Sequence, residues 1–394
     1  MIDRRRWLRL AAAATWAPMA ALSLAAPGAQ TQRFVFVLLR GGMDGLAAVP
    51  AVGDPAFAAA RGPLAALPSP ALPLDNTFAL NPLLPELHQM YQSGELAVVH
   101  AVGLPYRERS HFDAQQVLES GGTKPYELST GWLGRALASG GHSGVALSTA
   151  VPLLMRGSPQ VDTWAPSALP EPSADLVTRL SAMYATDPAM LGALERARAL
   201  HGAPGMNNAA MGGTGLPGRK ATVDLARKAG EFLRPANGPR VAVLEIGGWD
   251  SHTNQSAAQG AMSNNLRTLD AALAAMRSTL VEAKVWSDTV VVVATEFGRE
   301  VAANGTLGTD HGSGGAAFVL GGAVRGGRVF ADWPGLAPAQ RFEGRDLRIT
   351  TDLRSVLRPI LAEHLRVPMV ALDRDVLPGS AGLPSLDLLR SGSV

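Results

Sequence analysis

Along the chain, short runs of consecutive apolar residues recur, each broken abruptly by glycine and a carboxylate. Phe34 to Leu39 leads into Arg40-Gly41-Gly42-Met43-Asp44-Gly45, and Arg240 to Ile246 leads into Gly247-Gly248-Trp249-Asp250-Ser251-His252. Val290 to Ala294 is followed by Thr295 and Glu296, then by a glycine-rich run carrying Thr309-Asp310-His311-Gly312. Runs this short, rich in β-branched residues and apolar at every position, predict strands buried on both faces, as in a parallel sheet. Glu95 to Val102, Val145 to Thr149, Val151 to Met155 and Ala316 to Leu320 read as further strands. Between them the pattern predicts helices over Leu83 to Tyr91, from an N-cap at Ser110 to Leu118, over Trp132 to Ala138, Ser173 to Leu200 and Thr222 to Phe232. A further amphipathic helix shows Leu266, Leu269, Leu273, Met276 and Leu280 on one face, and a last one spans Leu353 to Leu365, capped by Thr351 or Asp352. Residues 50–85 read as irregular segments around a short helix, Gly326 to Gly335 as hairpin and turn, and Gly202 to Lys220 as a mobile glycine-rich loop. Strands alternating with helices predict an α/β fold with a mostly parallel sheet.

Length and composition narrow this picture. A chain of 394 residues accommodates one large α/β domain or two smaller ones. Its start, Asp3-Arg4-Arg5-Arg6-Trp7-Leu8-Arg9, resembles the twin-arginine export motif. The apolar stretch Leu10 to Ala26 is short for a membrane span, contains Pro18 and ends in small residues, which favours a cleaved signal over an anchor. The expected organisation is a signal peptide over 1–29 and a single domain over 30–394, with a helical and glycine-rich insert at about 165–238. Export of an already folded chain favours a protein that receives a metal beforehand. Cysteine is absent, which excludes disulfides, a thiol nucleophile and thiolate metal ligands. Without the leader the chain holds 31 basic and 32 acidic residues, a balance that gives no footprint for nucleic acid and no reason for stable membrane insertion.

In open α/β sheets ligands bind outside the carboxyl ends of the strands, so polar residues there are the candidates for chemistry. Asp44 is either an ordinary Asp-Gly turn residue or a ligand. Ser110 is either a helix cap or, beside His111, Arg107 and Arg109, a nucleophile or anion-binding hydroxyl. Asp250 could cap a helix, which leaves His252 without a reason; the two together suit one cation. Glu296 and the pair Asp310 and His311 complete a set from five places, and carboxylates, imidazoles and one hydroxyl are the parts of a two-metal site for oxygen transfer. His88, His100, His142, His201 and His364 have no such neighbours and read as structural or incidental.

The segments LLRGGMDGL (38–46), SHFDAQ (110–115), GWLGRAL (131–137), EIGGWDSHTNQ (245–255), TEFGRE (295–300) and GTDHGSGGAAFVLGG (308–322) resemble the DUF1501 family of exported bacterial proteins. That resemblance implies an alkaline-phosphatase-like α/β fold, a three-layer sandwich around a mostly parallel sheet. It also implies one or two divalent metals (Zn, Mn or Mg) held by Asp44, Asp250, His252, Glu296, Asp310 and His311. Ser110 would be the nucleophile, with Arg109 or Arg299 clamping the substrate's oxygens. Glu296 stands where the superfamily has Asp-His, which weakens zinc at the second position in favour of Mg²⁺ or Mn²⁺. The expected activity is hydrolysis of small-molecule or polymer phosphate or sulfate esters in the periplasm, after passage through the twin-arginine machinery. The alternative is an exported binding or assembly protein that keeps the fold without catalysis.

Overall fold

In the computed structural model, residues 31–167, 172–201, 218–256 and 258–390 are described. The leader and residues 202–217 of the glycine-rich loop lie outside them. The strands are β1 (Arg33–Leu39), β2 (Leu72–Pro73), β3 (Ala79–Leu80), β4 (Leu96–Gly103), β5 (Gly144–Ala146), β6 (Val161–Thr163), β7 (Val241–Ile246), β8 (Thr289–Thr295), β9 (Gly315–Leu320), β10 (Arg328–Phe330) and β11 (Thr351–Asp352). β2 and β3 form a separate ribbon; the rest make one nine-stranded sheet ordered β10-β4-β9-β8-β1-β7-β5-β6, with β11 also paired to β4. β1 lies at its centre and pairs in parallel with β7 and β8. β9 is antiparallel to both β4 and β8, and every other pairing in this sheet is parallel.

Because side chains alternate across a strand, β1 sends Val35, Val37 and Leu39 to one face and Phe34, Phe36 and Leu38 to the other. The first face is covered by α2 (Pro85–Gln92), α7 (Arg219–Leu233) and α8 (Ala261–Glu282), with Leu87, Leu233 and Leu273 in its core, and α1 (Gly45–Ala48) adds Leu46. On the opposite face α3 (His111–Ser120), α4 (Trp132–Gly140) and α9 (Leu353–Pro359) bury Val117, Trp132 and Val356. The result is a three-layer α/β sandwich, whose mostly parallel sheet the apolar runs predicted and whose three layers the family resemblance implied. No helix among the described residues is long and apolar enough to cross a membrane.

Three expectations need correction. Val151 to Met155 is not a strand: Leu153–Met155 is a 3-10 turn after Pro152, fixed by the Leu154 N–H donating to the buried Glu119 carboxylate at 2.9 Å. Ser173 to Leu200 is two helices, α5 (Ala174–Met183) and α6 (Pro188–His201). The break is legible in retrospect, since Asp187 accepts from the N–H groups of Ala189 and Met190 and Pro188 stands first in α6, both start signals. Gly326 to Gly335 is not a hairpin, because Arg328–Phe330 pairs in parallel with Ala97 to Val99. The caps at Ser110 and Asp352 are observed, each accepting from a backbone N–H of the helix it starts.

The one antiparallel strand of the nine-stranded sheet among the described residues, β9, explains how residues that precede a strand reach the same edge as residues that follow one. β1, β4, β7 and β8 end at this edge, whereas β9 begins there. Asp310 and His311, just before β9, therefore meet the turns after β1, β7 and β8.

Candidate metal centre

The turns after β1 and β7 carry the same local pattern, Gly-Gly-X-Asp, and lie side by side with Leu39 opposite Ile246. Gly41 makes this possible: its φ is +119°, and a Cβ there would stand 2.5 Å from the Asp250 backbone nitrogen. The two aspartates end in different surroundings. Asp44 is buried and caps α1, with Oδ1 accepting from the N–H groups of Leu46 and Ala47. Its Oδ2 meets the fully buried Arg61 Nη2 at 2.6 Å and accepts from Gln255 Nε2. No histidine touches it among the described residues.

Asp250 is half-exposed and faces three imidazoles. His111, the first residue of α3, presents Nε2 3.5 Å from Asp250 Oδ2. His252 Nε2 lies 2.9 Å and His311 Nε2 3.3 Å from Oδ1, and the latter two nitrogens are 3.2 Å apart. The opposite nitrogen of each ring is held by an acceptor. Nδ1 of His111 is 2.9 Å from Glu296 Oε1, that of His252 is 3.0 Å from Asp310 Oδ1, and that of His311 is 2.9 Å from the Arg109 carbonyl. A carboxylate or carbonyl oxygen can only accept, so each Nδ1 carries the proton, and in the neutral ring each Nε2 is a bare lone pair. His111 Nε2 is buried and has no hydrogen-bond partner among the described residues.

With all three rings neutral such a convergence is repulsive, and a cation among the donors relieves it. Donor atoms of His111, Asp250 and His311 all fall within 4.8 Å of one another. A tetrahedral cation about 2 Å from each donor spaces them about 3.3 Å apart, close to the 2.9, 3.3 and 3.5 Å that separate Asp250 from the three Nε2 atoms.

Charge is distributed unevenly around it. The hydrogen bond to Glu296 raises the His111 pKa, whereas burial, helped by His111 and Arg299, lowers that of His311. Burial opposes ionisation of both Asp250 and Glu296. It is outweighed for Asp250 by the Arg299 guanidinium and for Glu296 by His111, the Gly41 N–H and the Thr295 hydroxyl, so both carboxyls titrate low.

The TEFGRE segment supplies the supporting groups. Glu296, at the end of β8, is buried behind His111. It also accepts from Gly41 N at 2.8 Å, Gln115 Nε2 at 3.3 Å and the Thr295 hydroxyl at 2.9 Å. The Phe297 ring packs against His111 and His311, with centroids 4.7 and 5.0 Å away. Gly298 passes so close to the next loop that a Cβ would lie 1.8 Å from the Gly314 carbonyl oxygen. Arg299 is fully buried, with Nη1 2.7 Å from Asp250 Oδ1.

Of the residues expected at the site, the structure brings Asp250, His252 and His311 together, with Asp310 and Arg299 touching them and Glu296 joined to them through His111. Asp44 lies in its own buried ion pair. The Ser110 hydroxyl accepts from Asp113 N at 3.4 Å as the α3 cap. The Arg109 guanidinium turns to Asp346 and Glu343 at 2.9 and 2.6 Å, so that residue reaches the cluster through its carbonyl alone. His111 was not among the ligands expected from sequence. Its signal was present in the SHFDAQ segment, but the neighbouring serine explained the helix start and drew the chemical reading to itself.

Fold and site define an α/β protein with a candidate metal centre of His111, Asp250 and His311, with His252 beside it. The chain belongs to the family described as "Protein of unknown function (DUF1501)", whose profile matches residues 89–359. No curated protein matches it. Among solved structures it is similar to a sulfatase from Pseudoalteromonas sp. (13% identity, TM-score 0.41, covering 90% of this chain and 71% of that one). It is likewise similar to a phosphonate monoester hydrolase of Agrobacterium radiobacter (13%, 0.40, 85% and 74%). A protein in the alkaline phosphatase superfamily from Vibrio parahaemolyticus is a third (11%, 0.40, 77% and 64%). Likenesses at this level carry no functional argument.

Proposed function

We propose that this protein is a metal-dependent hydrolase of phosphate or sulfate esters. The observation that carries the reading is the tautomer arrangement: three rings each held at Nδ1 by an acceptor, with Nε2 turned toward one carboxylate. Carboxylates and a carbonyl behind metal-ligating histidines are the usual way such rings are fixed and made more basic. Two or three imidazole nitrogens with one carboxylate oxygen favour Zn²⁺ over Mg²⁺ or Ca²⁺ at this centre. A divalent cation there would polarise the ester and stabilise the departing alkoxide.

The chain's own residues supply the remainder. Glu296, Asp310 and the Arg109 carbonyl orient the rings, and Arg299 holds Asp250 in place. Ser110 is the proposed nucleophile. Among the described residues its hydroxyl has only the Asp113 N–H as partner, at the N-terminus of α3, where an anion is favoured. The test is metal analysis of purified protein with a screen of phosphate monoesters, phosphate diesters and sulfate esters. Ser110→Ala should lose turnover and keep its metal; a variant that turns over normally would assign the attack to water. Absence of stoichiometric metal in the wild type would remove the hydrolase reading altogether.

The site of action is proposed to be the periplasm, reached by the twin-arginine route, on the strength of Arg4 and Arg5. Arg4→Lys with Arg5→Lys should leave full-length protein in the cytoplasmic fraction, and normal export of that variant would sink the route.

A further inference from the structure

Resting on the metal-centre reading above, we infer that the centre takes a single divalent cation, and that the Arg299 guanidinium fills the place a second would occupy. In a two-cation centre the ions stand about 3.5–4 Å apart, and the second needs its own oxygen donors. Here Asp250 Oδ1, the oxygen that His252 and His311 also face, is already taken by a fixed charge. Arg299 Nη1 donates to Asp250 Oδ1 at 2.7 Å and to the Gly41 carbonyl at 3.4 Å. Its Nε donates to the Thr309 hydroxyl at 3.2 Å, and its Nη2 to the Thr309 carbonyl. A carboxylate, two carbonyls and a hydroxyl around one buried positive group form the all-oxygen donor set that hard cations select.

Of the two buried carboxylates nearby, Asp44 has both oxygens filled and Glu296 is committed to holding His111, while the exposed Asp310 holds His252 and Asn304 through Oδ1. Asp44 accepts from Leu46 N, Ala47 N, Arg61 and Gln255, and Glu296 from Gly41 N, His111, Gln115 and Thr295. Four bonds is about the full complement of a carboxylate. The cradle itself is braced from behind, since the Thr309 hydroxyl also donates to Gln255 Oε1 at 2.6 Å, and Gln255 in turn donates to Asp44. A guanidinium fixed this way is a positive charge that does not dissociate and that no chelator removes. It neutralises one side of Asp250 while the other donors hold the exchangeable ion.

The test is stoichiometry. Metal-free full-length protein is titrated first with Zn²⁺ and then with Mn²⁺, and bound metal is counted by elemental analysis after desalting. The wild type should take one Zn²⁺ per chain and no Mn²⁺. Arg299→Ala, which empties the oxygen cradle, should take one Zn²⁺ and in addition one Mn²⁺, with its melting temperature raised by Mn²⁺ where that of the wild type is not. Two ions per chain in the wild type overturn the inference, and none overturns the metal-centre reading beneath it. An Arg299→Ala protein that folds and binds no Mn²⁺ overturns the role given to the guanidinium. If Arg299→Ala does not fold, the wild-type count decides, together with Arg299→Lys, which keeps the charge and should hold one Zn²⁺ alone.

Discussion

The turns after β1 and β7 start from nearly the same sequence and end in opposite uses of an aspartate. Asp44 and Asp250 both follow a buried strand and two glycines, and the strands that carry them are neighbours in parallel register. Asp44 is closed in by Arg61 and Gln255, with every lone pair engaged. Asp250 is left open on one side, at 42% side-chain exposure, toward three imidazoles. What separates them is therefore not the turn but what the rest of the chain sends to it. Arg61 arrives from the end of a short helix, Phe57–Arg61, beneath the sheet edge, whereas His111 and His311 come from α3 and from the loop before β9.

The largest effects should separate the two residues cleanly. Asp250→Ala should abolish cation binding, a loss well beyond the 10–100-fold of an outer-shell change. Its stability in the metal-free state should fall as well, because the fully buried Arg299 loses its carboxylate partner, so cation binding is the quantity that separates the two residues. Asp44→Asn should leave Zn²⁺ affinity near wild type while costing about 3–5 kcal/mol of stability as the buried Arg61 loses its counter-charge. Urea unfolding and chelator-competition titration of both variants read the contrast, and a loss of Zn²⁺ by Asp44→Asn at full fold would return Asp44 to the ligand set.

Much of the fold was legible because a strand buried on both faces writes itself as an unbroken apolar run, as Phe34 to Leu39 and Val290 to Ala294 show. Strand order was not, since pairing is decided by crossovers that local pattern does not record. The reversal of β9, which brings His311 to the edge, could not be read from its own residues. At the site, Asp250, His252 and His311 stood out because imidazole beside carboxylate has no use in capping a helix. Asp44 looked equivalent to Asp250 for the reason above: its partner Arg61 lies 17 positions along, in a segment that reads as plain surface helix. His111 was hidden by its neighbour, one serine with two sufficient explanations.

Acid should act on the Asp44 side of the comparison through His100. This ring is fully buried, donates from Nε2 to the Val49 carbonyl beside α1 at 3.0 Å, and accepts the Ala101 N–H on Nδ1 at 2.8 Å. Both nitrogens are committed, so the neutral ring is locked in, and burial pushes its pKa down to about 4. In the unfolded chain the value is about 6.5. The contribution of His100 is therefore complete above pH 6.5 and is lost as pH falls from there toward 4, up to about 3 kcal/mol in all. His111 works the other way, because its folded pKa is raised: its contribution is complete below the unfolded value and lost as pH rises through the folded one. Comparing metal-free wild type with His100→Gln from pH 7 to pH 4 isolates the first term. The variant should start less stable and lose less, and parallel curves would remove His100 from the account.

Glu296 is the finest test of the comparison, because it is buried like Asp44 and yet serves Asp250's side. Its Oε1 fixes the proton on His111 Nδ1 and so turns a basic Nε2 into the cluster. Glu296→Gln keeps the shape and one acceptor oxygen but removes the charge that makes the imidazole a strong donor. The variant should bind Zn²⁺ about 10–100-fold more weakly than wild type at unchanged stoichiometry, the usual cost of an altered group behind a ligating histidine. A direct ligand would behave differently, since removing its charge should take the metal with it. A purely structural carboxylate would behave differently again, lowering stability as Asp44→Asn does and leaving affinity alone. Glu296 and Asp44 have the same burial and four hydrogen bonds apiece, so a partial loss of affinity in one and none in the other could come only from the imidazole that one holds and the other does not.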